Sequence, residues 1–343
     1  MRRAVIDLQS SAPTMALPPS GAERLRAFTP AGWELTVVQS PTESSGDGTN
    51  AVSEEALAAV ASAEVYFGYG LPAALVAAAP QLRWAHSASA GVGKSITPEL
   101  LASGLVFTNS AGVYGEAMAD SVLAGVLHFA RGFDHAVRLQ ALSRWDKEPF
   151  QHEHTPMREI ADLRVLVIGA GGIGSAVAKR FTALGAQCTG VRRRPELGIP
   201  PGFARVTGPD HIDSELHSAD VLVLAAPLTA SLRGLMDARR LALLPTGAIV
   251  VNVARGALLD EDALVASLNA GQVRGAYLDV FRREPLPDSS ALWTHPRVLI
   301  TPHVSGVSPA RHWGRALTLF EDNWKRYVAG EPLQNVVDPA EGY

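Results

Sequence analysis

Along the first third of the chain, short apolar runs alternate with stretches whose apolar residues recur every three or four positions. "RAVIDL", "WELTVV", "AEVYFGYG", "LRWAHSAS" and "LVFTNS" have the length and side-chain type of buried strands. Between them, "GAERLRAF", "SEEALAAVAS", "PAALVAAA" and "TPELLASG" carry the helical period, with Ser53 and Thr97 as N-cap candidates. Strands alternating with helices predict a parallel sheet covered on both faces. Residues 41–50, "PTESSGDGTN", read as a polar loop.

A long helical pattern follows over 113–133, then the irregular stretch "SRWDKEPFQHEHTPMRE". At Leu163 the alternation resumes. "RVLVIGAG", "QCTGV", "DVLVLAAP", "GAIVVNVA", "VRGAYLDV" and "RVLITPH" are strand candidates with helices between them, and a last helix is expected over 309–329. No period of solenoid length recurs. Two successive parallel-sheet domains are expected, with the helix after Val113 and the last helix crossing between them.

Composition narrows the function classes. At 343 residues, 47% hydrophobic and 19% charged, the chain suffices for two ordinary domains with full cores. A net charge of −4 argues against a nucleic-acid binder, which needs a basic field. The single cysteine, Cys188, rules out an internal disulfide framework and fits a reducing compartment. The N-terminus "MRRAVIDLQSSAPTM" is a poor signal peptide, and no run reaches the roughly 18 apolar residues of a membrane span. A cytoplasmic protein is the expectation.

The densest chemical signal is "RVLVIGAGGIGSAVAKRFTALGA". Gly169, Gly171 and Gly174 fit the G-x-G-x-x-G pattern between a strand and a helix. The first glycine permits the tight turn, the second lets a pyrophosphate approach the backbone, and the third lets the helix pack on its strand. Gly172 and Ile173 open that helix, whose N-terminal N–H groups and dipole suit a diphosphate. Sites that prefer NAD place Asp or Glu roughly 20 residues further on, to accept from the ribose 2′-hydroxyl. Here Arg192, 18 residues past Gly174, takes that place, followed by Arg193 and Arg194. Arginines would pair with a 2′-phosphate, so NADP(H) is expected over NAD(H).

Three other strand ends carry candidate chemistry: Arg255 in "VNVARGALLDEDAL", Asp279 and Glu284 in "GAYLDVFRREPLP", and His303 in "VLITPHVSG". Together they supply a carboxylate binder, a proton carrier and an acid to hold the carrier's charge. Those are the parts needed to reduce a 2-oxo acid by hydride transfer.

With these motifs in order, and with "PLTASLRGLMD" between them, the chain resembles the D-isomer-specific 2-hydroxyacid dehydrogenases, in particular the glyoxylate/hydroxypyruvate reductase branch. The resemblance runs from about Glu64 to Asp338. It implies an α/β fold of two Rossmann-like/flavodoxin-like parallel-sheet domains with an active-site cleft between them. Residues 1–112 and 307–343 would form the substrate domain and 113–306 the dinucleotide domain. It further implies that Arg255 clamps the carboxylate of a small 2-oxo acid and that His303 is the general acid/base. Glu284 would raise the histidine's pKa, Asp279 would orient the nicotinamide amide, and the backbone at Val253 would line that ring. In "HSASAGVG", the N–H groups of Ala90 and Gly91 would bind the carboxylate opposite Arg255. Tyr69, Trp313 and Trp145 are candidates for the side-chain pocket, and the helix after Val113 would help form a homodimer.

The chain departs from the family pattern at Gly93, often Asp, and at Asp120, often Glu. "HEH" at 152–154 lacks a matching ligand set, so no metal is expected. A dinucleotide-sensing corepressor on the same scaffold is the alternative from another class; absence of turnover beside tight dinucleotide binding would mark it.

Overall fold

The computed structural model describes residues 1–42, 51–151 and 157–338, so the "HEH" segment and most of the polar tract before Ala51 lie outside the described residues. The chain divides into two units, Met1–Tyr114 with Val307–Tyr343, and Gly115–Gly306.

In the first unit, aliphatic and aromatic runs form β1 (Arg2–Asp7), β2 (Trp33–Val37), β3 (Val65–Gly68), β4 (Trp84–Ser87) and β5 (Val106–Thr108). They make one parallel sheet in the order β2-β1-β3-β4-β5, the flavodoxin-like arrangement. Successive side chains go to opposite faces, and both faces are apolar. Ala4, Ile6 and Phe67 pack on one side, Val5, Tyr66 and Ala85 on the other. The helix His312–Ala329 covers the first face, where Phe320 stacks on Phe67 with ring centroids 4.3 Å apart. That helix starts three residues later than the periodicity predicts. Beyond it, Val336 forms an antiparallel bridge to Thr108.

The second unit contains β6 (Arg164–Ile168), β7 (Gln187–Val191), β8 (Arg205–Thr207), β9 (Val221–Leu224), β10 (Ala248–Asn252), β11 (Val273–Leu278) and β12 (Val298–Ile300). Their parallel order is β12-β11-β10-β9-β6-β7-β8. The chain order reverses between β6 and β9, the switch point at which such sheets bind nucleotides. The edge strand β8 has only three residues and no readable period, so the hydrophobic pattern does not reveal it. The predicted helix over 113–133 is observed as Gly115–Ala130, followed by a second helix, Phe133–Ala141. Gly132, at φ +68°, separates them. The second helix is fixed by a buried ion pair in which Arg274 donates twice to Asp134, at 2.8 and 2.9 Å. Its outward side exposes Phe133 and Val137. Among the described residues no helix is long and apolar enough to cross a membrane.

Candidate active site

The glycine turn sits where β6 gives way to the helix Gly172–Ala183, and each of its glycines answers to a different constraint. Gly169 adopts φ +107°, and a Cβ there would lie 2.5 Å from the Ala226 nitrogen. A Cβ on Gly174 would lie 2.1 Å from the Gly169 carbonyl oxygen, so only glycine lets the helix approach its strand. A Cβ on Gly171 would meet nothing within 4 Å among the described residues, which leaves the space over the turn open to a ligand. Gly171 is the N-cap and offers no side-chain cap, so the first N–H groups of the helix, at Gly172 and Ile173, are left for an outside acceptor. An open space, unshielded donors and a helix dipole together fit the diphosphate of a dinucleotide.

The basic triplet adjoins this turn. β6 and β7 pair in register to Ile168 and Val191, and the N–H groups of Gly169 and Ala170 both donate to the Val191 carbonyl, at 2.9 and 3.1 Å. Arg192 is therefore the next residue after the turn's anchor. Its side chain is half-buried and reaches the Gly198 carbonyl only at 3.5 Å, whereas Arg193 and Arg194 are exposed.

Arg255, Glu284 and His303 come from the loops that follow β10, β11 and β12. Asn252 shapes the first of these loops: its amide donates to the Arg255 carbonyl (3.0 Å) and accepts from the Ala254 N–H (3.1 Å). Gly256 brings that loop against the second, since a Cβ there would lie 1.9 Å from the Phe281 carbonyl carbon. Glu284 accepts from the Phe281 N–H through Oε1 (3.0 Å) and bonds His303 Nδ1 through Oε2 (2.8 Å).

His303 is held in an unusual backbone conformation, φ +55°, which costs a residue other than glycine about 1–3 kcal/mol. Asp279 secures it. The Asp279 carbonyl accepts from the His303 N–H (2.8 Å), and its buried carboxylate accepts from Thr301 Oγ1 (2.5 Å), Val304 N–H (2.9 Å) and Ser305 N–H (3.1 Å). The aspartate expected to face a nicotinamide is thus surrounded by donors from the histidine's own loop. Thr301, Ser305 and Asn252 carry no sequence signal of these roles beyond lying inside quoted motifs.

The Glu284 hydrogen bond holds the His303 pKa above its ordinary 6.5, against the opposing effects of burial and of the Arg255 charge. For Glu284, burial favours the protonated acid, but the His303 bond, the Phe281 N–H and the charges of His303 and Arg255 keep its pKa below the usual value. Arg255 therefore acts electrostatically on both members of the pair, and the three predicted residues form one cluster. An imidazolium beside a carboxylate, with a guanidinium close by, is equipped to bind an acid and to pass a proton.

The remaining expectations scatter. Val253 is buried directly after β10. In the first unit, Ala90 and Gly91 lie on the loop after β4, and neither N–H has an acceptor among the described residues. Tyr69 is buried, its hydroxyl donating to the carbonyls of Leu8 and Met15. Trp313 is buried on the helix His312–Ala329, and its indole N–H meets no acceptor among the described residues. Trp145 is 93% exposed.

Residues 123–305 match a family model described as D-isomer specific 2-hydroxyacid dehydrogenase, NAD binding domain. Over 230 residues the chain is 35% identical to a glyoxylate/hydroxypyruvate reductase A from Klebsiella pneumoniae (strain 342), covering 67% of this chain and 70% of that protein. A D-isomer specific 2-hydroxyacid dehydrogenase from Xanthobacter autotrophicus Py2, in complex with NADPH and MES, superposes with a TM-score of 0.78 at 31% identity, covering 100% of this chain and 99% of that one. An NADPH-dependent glyoxylate/hydroxypyruvate reductase from Sinorhizobium meliloti, in complex with NADP and sulfate, has a TM-score of 0.78 at 25% identity, with 100% of each chain covered.

Proposed function

We propose that this chain, which belongs to the D-isomer-specific 2-hydroxyacid dehydrogenase family, reduces small 2-oxo acids such as glyoxylate or hydroxypyruvate to D-2-hydroxy acids, with NADP(H) preferred over NAD(H). What supports this reading above all is the hydrogen-bonded Glu284–His303 pair within the field of Arg255, on the same sheet as the glycine turn. The reductase relative and the two nucleotide-bound neighbours agree with it.

When bound, the nicotinamide supplies the hydride for the substrate's 2-carbon. Gly171, Gly172 and Ile173 would hold its diphosphate with backbone N–H groups, and the backbone at Val253 would line the ring. Arg255 binds the substrate carboxylate through its forked donors. His303 keeps the proton on Nδ1 in its bond to Glu284 and gives the one on Nε2 to the 2-oxygen, which becomes the hydroxyl. Its charge also stabilises the oxygen as negative charge builds there. In the reverse direction the neutral imidazole takes that proton back. Asp279 keeps the imidazole aimed by holding residues 301–305.

The pH dependence follows in sign. His303 has a raised pKa in the folded protein, so its charged form contributes stability below the unfolded pKa, and that contribution is lost as pH rises through the folded value. The same titration removes the proton that reduction needs. Glu284→Gln takes away the main cause of the shift. Its kcat/KM for reduction is expected to decline at a lower pH than that of the native protein. A declining limb at the same pH in both proteins would show that Glu284 does not set the proton's affinity.

Cofactor choice is assigned to the triplet, with Arg192 first because it follows the turn's anchor directly. Arg192→Asp removes charge-assisted bonds to a 2′-phosphate and introduces repulsion, so kcat/KM with NADPH is expected to fall about 10²-fold. The value with NADH should hold or rise, because an acid accepts from the free 2′-hydroxyl. Steady-state kinetics with the two cofactors reads this, and equal losses with both would return the triplet to the solvent surface.

A further inference from the structure

Beyond β4 the first unit turns through residues 88–91, and three successive carbonyls of that turn are taken up within the unit. The Ala88 carbonyl accepts from the Tyr114 hydroxyl (2.7 Å), that of Ser89 from the Ser110 N–H (3.1 Å), and that of Ala90 from Asn109 Nδ2 (2.9 Å). In a trans peptide the C=O and the following N–H point in opposite directions. Drawing the Ser89 carbonyl inward therefore turns the Ala90 N–H outward, and drawing the Ala90 carbonyl inward does the same for Gly91. These are the two N–H groups of the loop that meet no acceptor among the described residues. Only the second depends on a side chain, that of Asn109.

Asn109 is itself locked on every side. It is buried, and its Oδ1 accepts from the Ala111 N–H (3.1 Å). Its N–H donates to the Asn335 carbonyl (3.1 Å), and its own carbonyl accepts from Asn335 Nδ2 (3.3 Å), which also reaches the Ala111 carbonyl (2.9 Å). Asn335 adopts φ +55°, a conformation asparagine tolerates better than most residues. Asn323 on the last helix grips the same segment, exchanging hydrogen bonds with the Gln334 backbone at 3.0 and 2.7 Å. The segment following the last helix thus braces Asn109, and Asn109 braces the loop.

We propose that Asn109 is a positioning residue for carboxylate recognition: held by Asn335, it fixes the Ala90–Gly91 peptide so that the Gly91 N–H faces the substrate's carboxylate. This rests on the reading of the chain as a 2-oxo acid reductase. Asn109→Asp tests it sharply. An aspartate keeps the acceptor for the Ala111 N–H but sets a carboxylate against the Ala90 carbonyl, which favours the flipped peptide. Losing one hydrogen bond to a charged group is expected to raise KM for glyoxylate about 10-fold to 100-fold. The inhibition constant of oxalate, a carboxylate that needs no turnover, should rise by the same factor, while kcat and the KM for NADPH stay within about threefold. Asn335→Ala, which leaves the loop's own residues intact, should shift KM and the oxalate constant the same way by a smaller factor, and it carries the test if the aspartate variant does not fold. Unchanged KM and oxalate inhibition in a folded variant of an active enzyme would overturn the inference alone. So would losses spread equally over kcat and the KM for NADPH. A native protein that turns over no 2-oxo acid would overturn the reading and this inference with it.

Discussion

Replacing His303 with asparagine is expected to lower kcat for 2-oxo acid reduction by about 10²–10⁴-fold, the usual worth of a positioned proton donor. Asparagine is the informative substitution because His303 sits at φ +55°, where asparagine is among the better-tolerated residues. The loop held by Asp279 should therefore keep its shape, and Glu284 keeps its bond to the Phe281 N–H. What disappears is the ionisable ring and its charge beside the developing oxyanion. The loss should fall on kcat, with NADPH binding unchanged, and the pH dependence attributed to His303 should vanish. Turnover within a few-fold of the native protein would mean that the proton comes from elsewhere.

Arg255→Ala is expected to reduce kcat/KM by about 10²–10³-fold, because truncating one partner of a desolvated, hydrogen-bonded charge pair costs on the order of 2–5 kcal/mol. The guanidinium donates to the Ala254 carbonyl through Nη1 (2.6 Å), but the backbone around the position has other supports that the substitution leaves in place. Asn252 holds the Arg255 and Ala254 main chain, and Gly256 packs under Phe281. Unlike His303→Asn, this variant should lose much of its efficiency through KM for the acid. Arg255→Lys should recover only part, since an ammonium is a point charge and cannot present two parallel donors. There is a second, smaller consequence. The Arg255 charge lowers the His303 pKa, so removing it should move the decline in activity to higher pH. A variant with native KM and kcat would leave carboxylate recognition to other groups.

The dinucleotide turn was legible because its chemistry is carried by residues without side chains. At Gly169 and Gly174 a Cβ would collide with the backbone, Gly171 leaves the space over the turn open, and the spacing encodes all three. Arg255, Glu284 and His303 were legible as types at strand ends. Their assembly was not, because it depends on loops that meet only in the folded sheet. The structure supplies the missing cause in the close approach of Gly256 to Phe281 and in the Asp279 hydrogen bonds. The bracing of Asn109 left no trace in the sequence, since its partner Asn335 is 226 residues away. Hydrophobic periodicity does not resolve elements that are short or interrupted, such as β8 and the break before Phe133. The Tyr69 hydroxyl is tied to two core carbonyls, and Trp145 stands almost wholly in solvent.

Steady-state oxidation of NADPH and NADH with 2-oxo acids of increasing side-chain size, beginning with glyoxylate and hydroxypyruvate, reads both the reaction and the cofactor preference. Turnover is expected with at least one small 2-oxo acid, at a higher kcat/KM with NADPH than with NADH. No turnover of any 2-oxo acid at saturating NADPH, in a protein that binds the nucleotide, would contradict the proposed function.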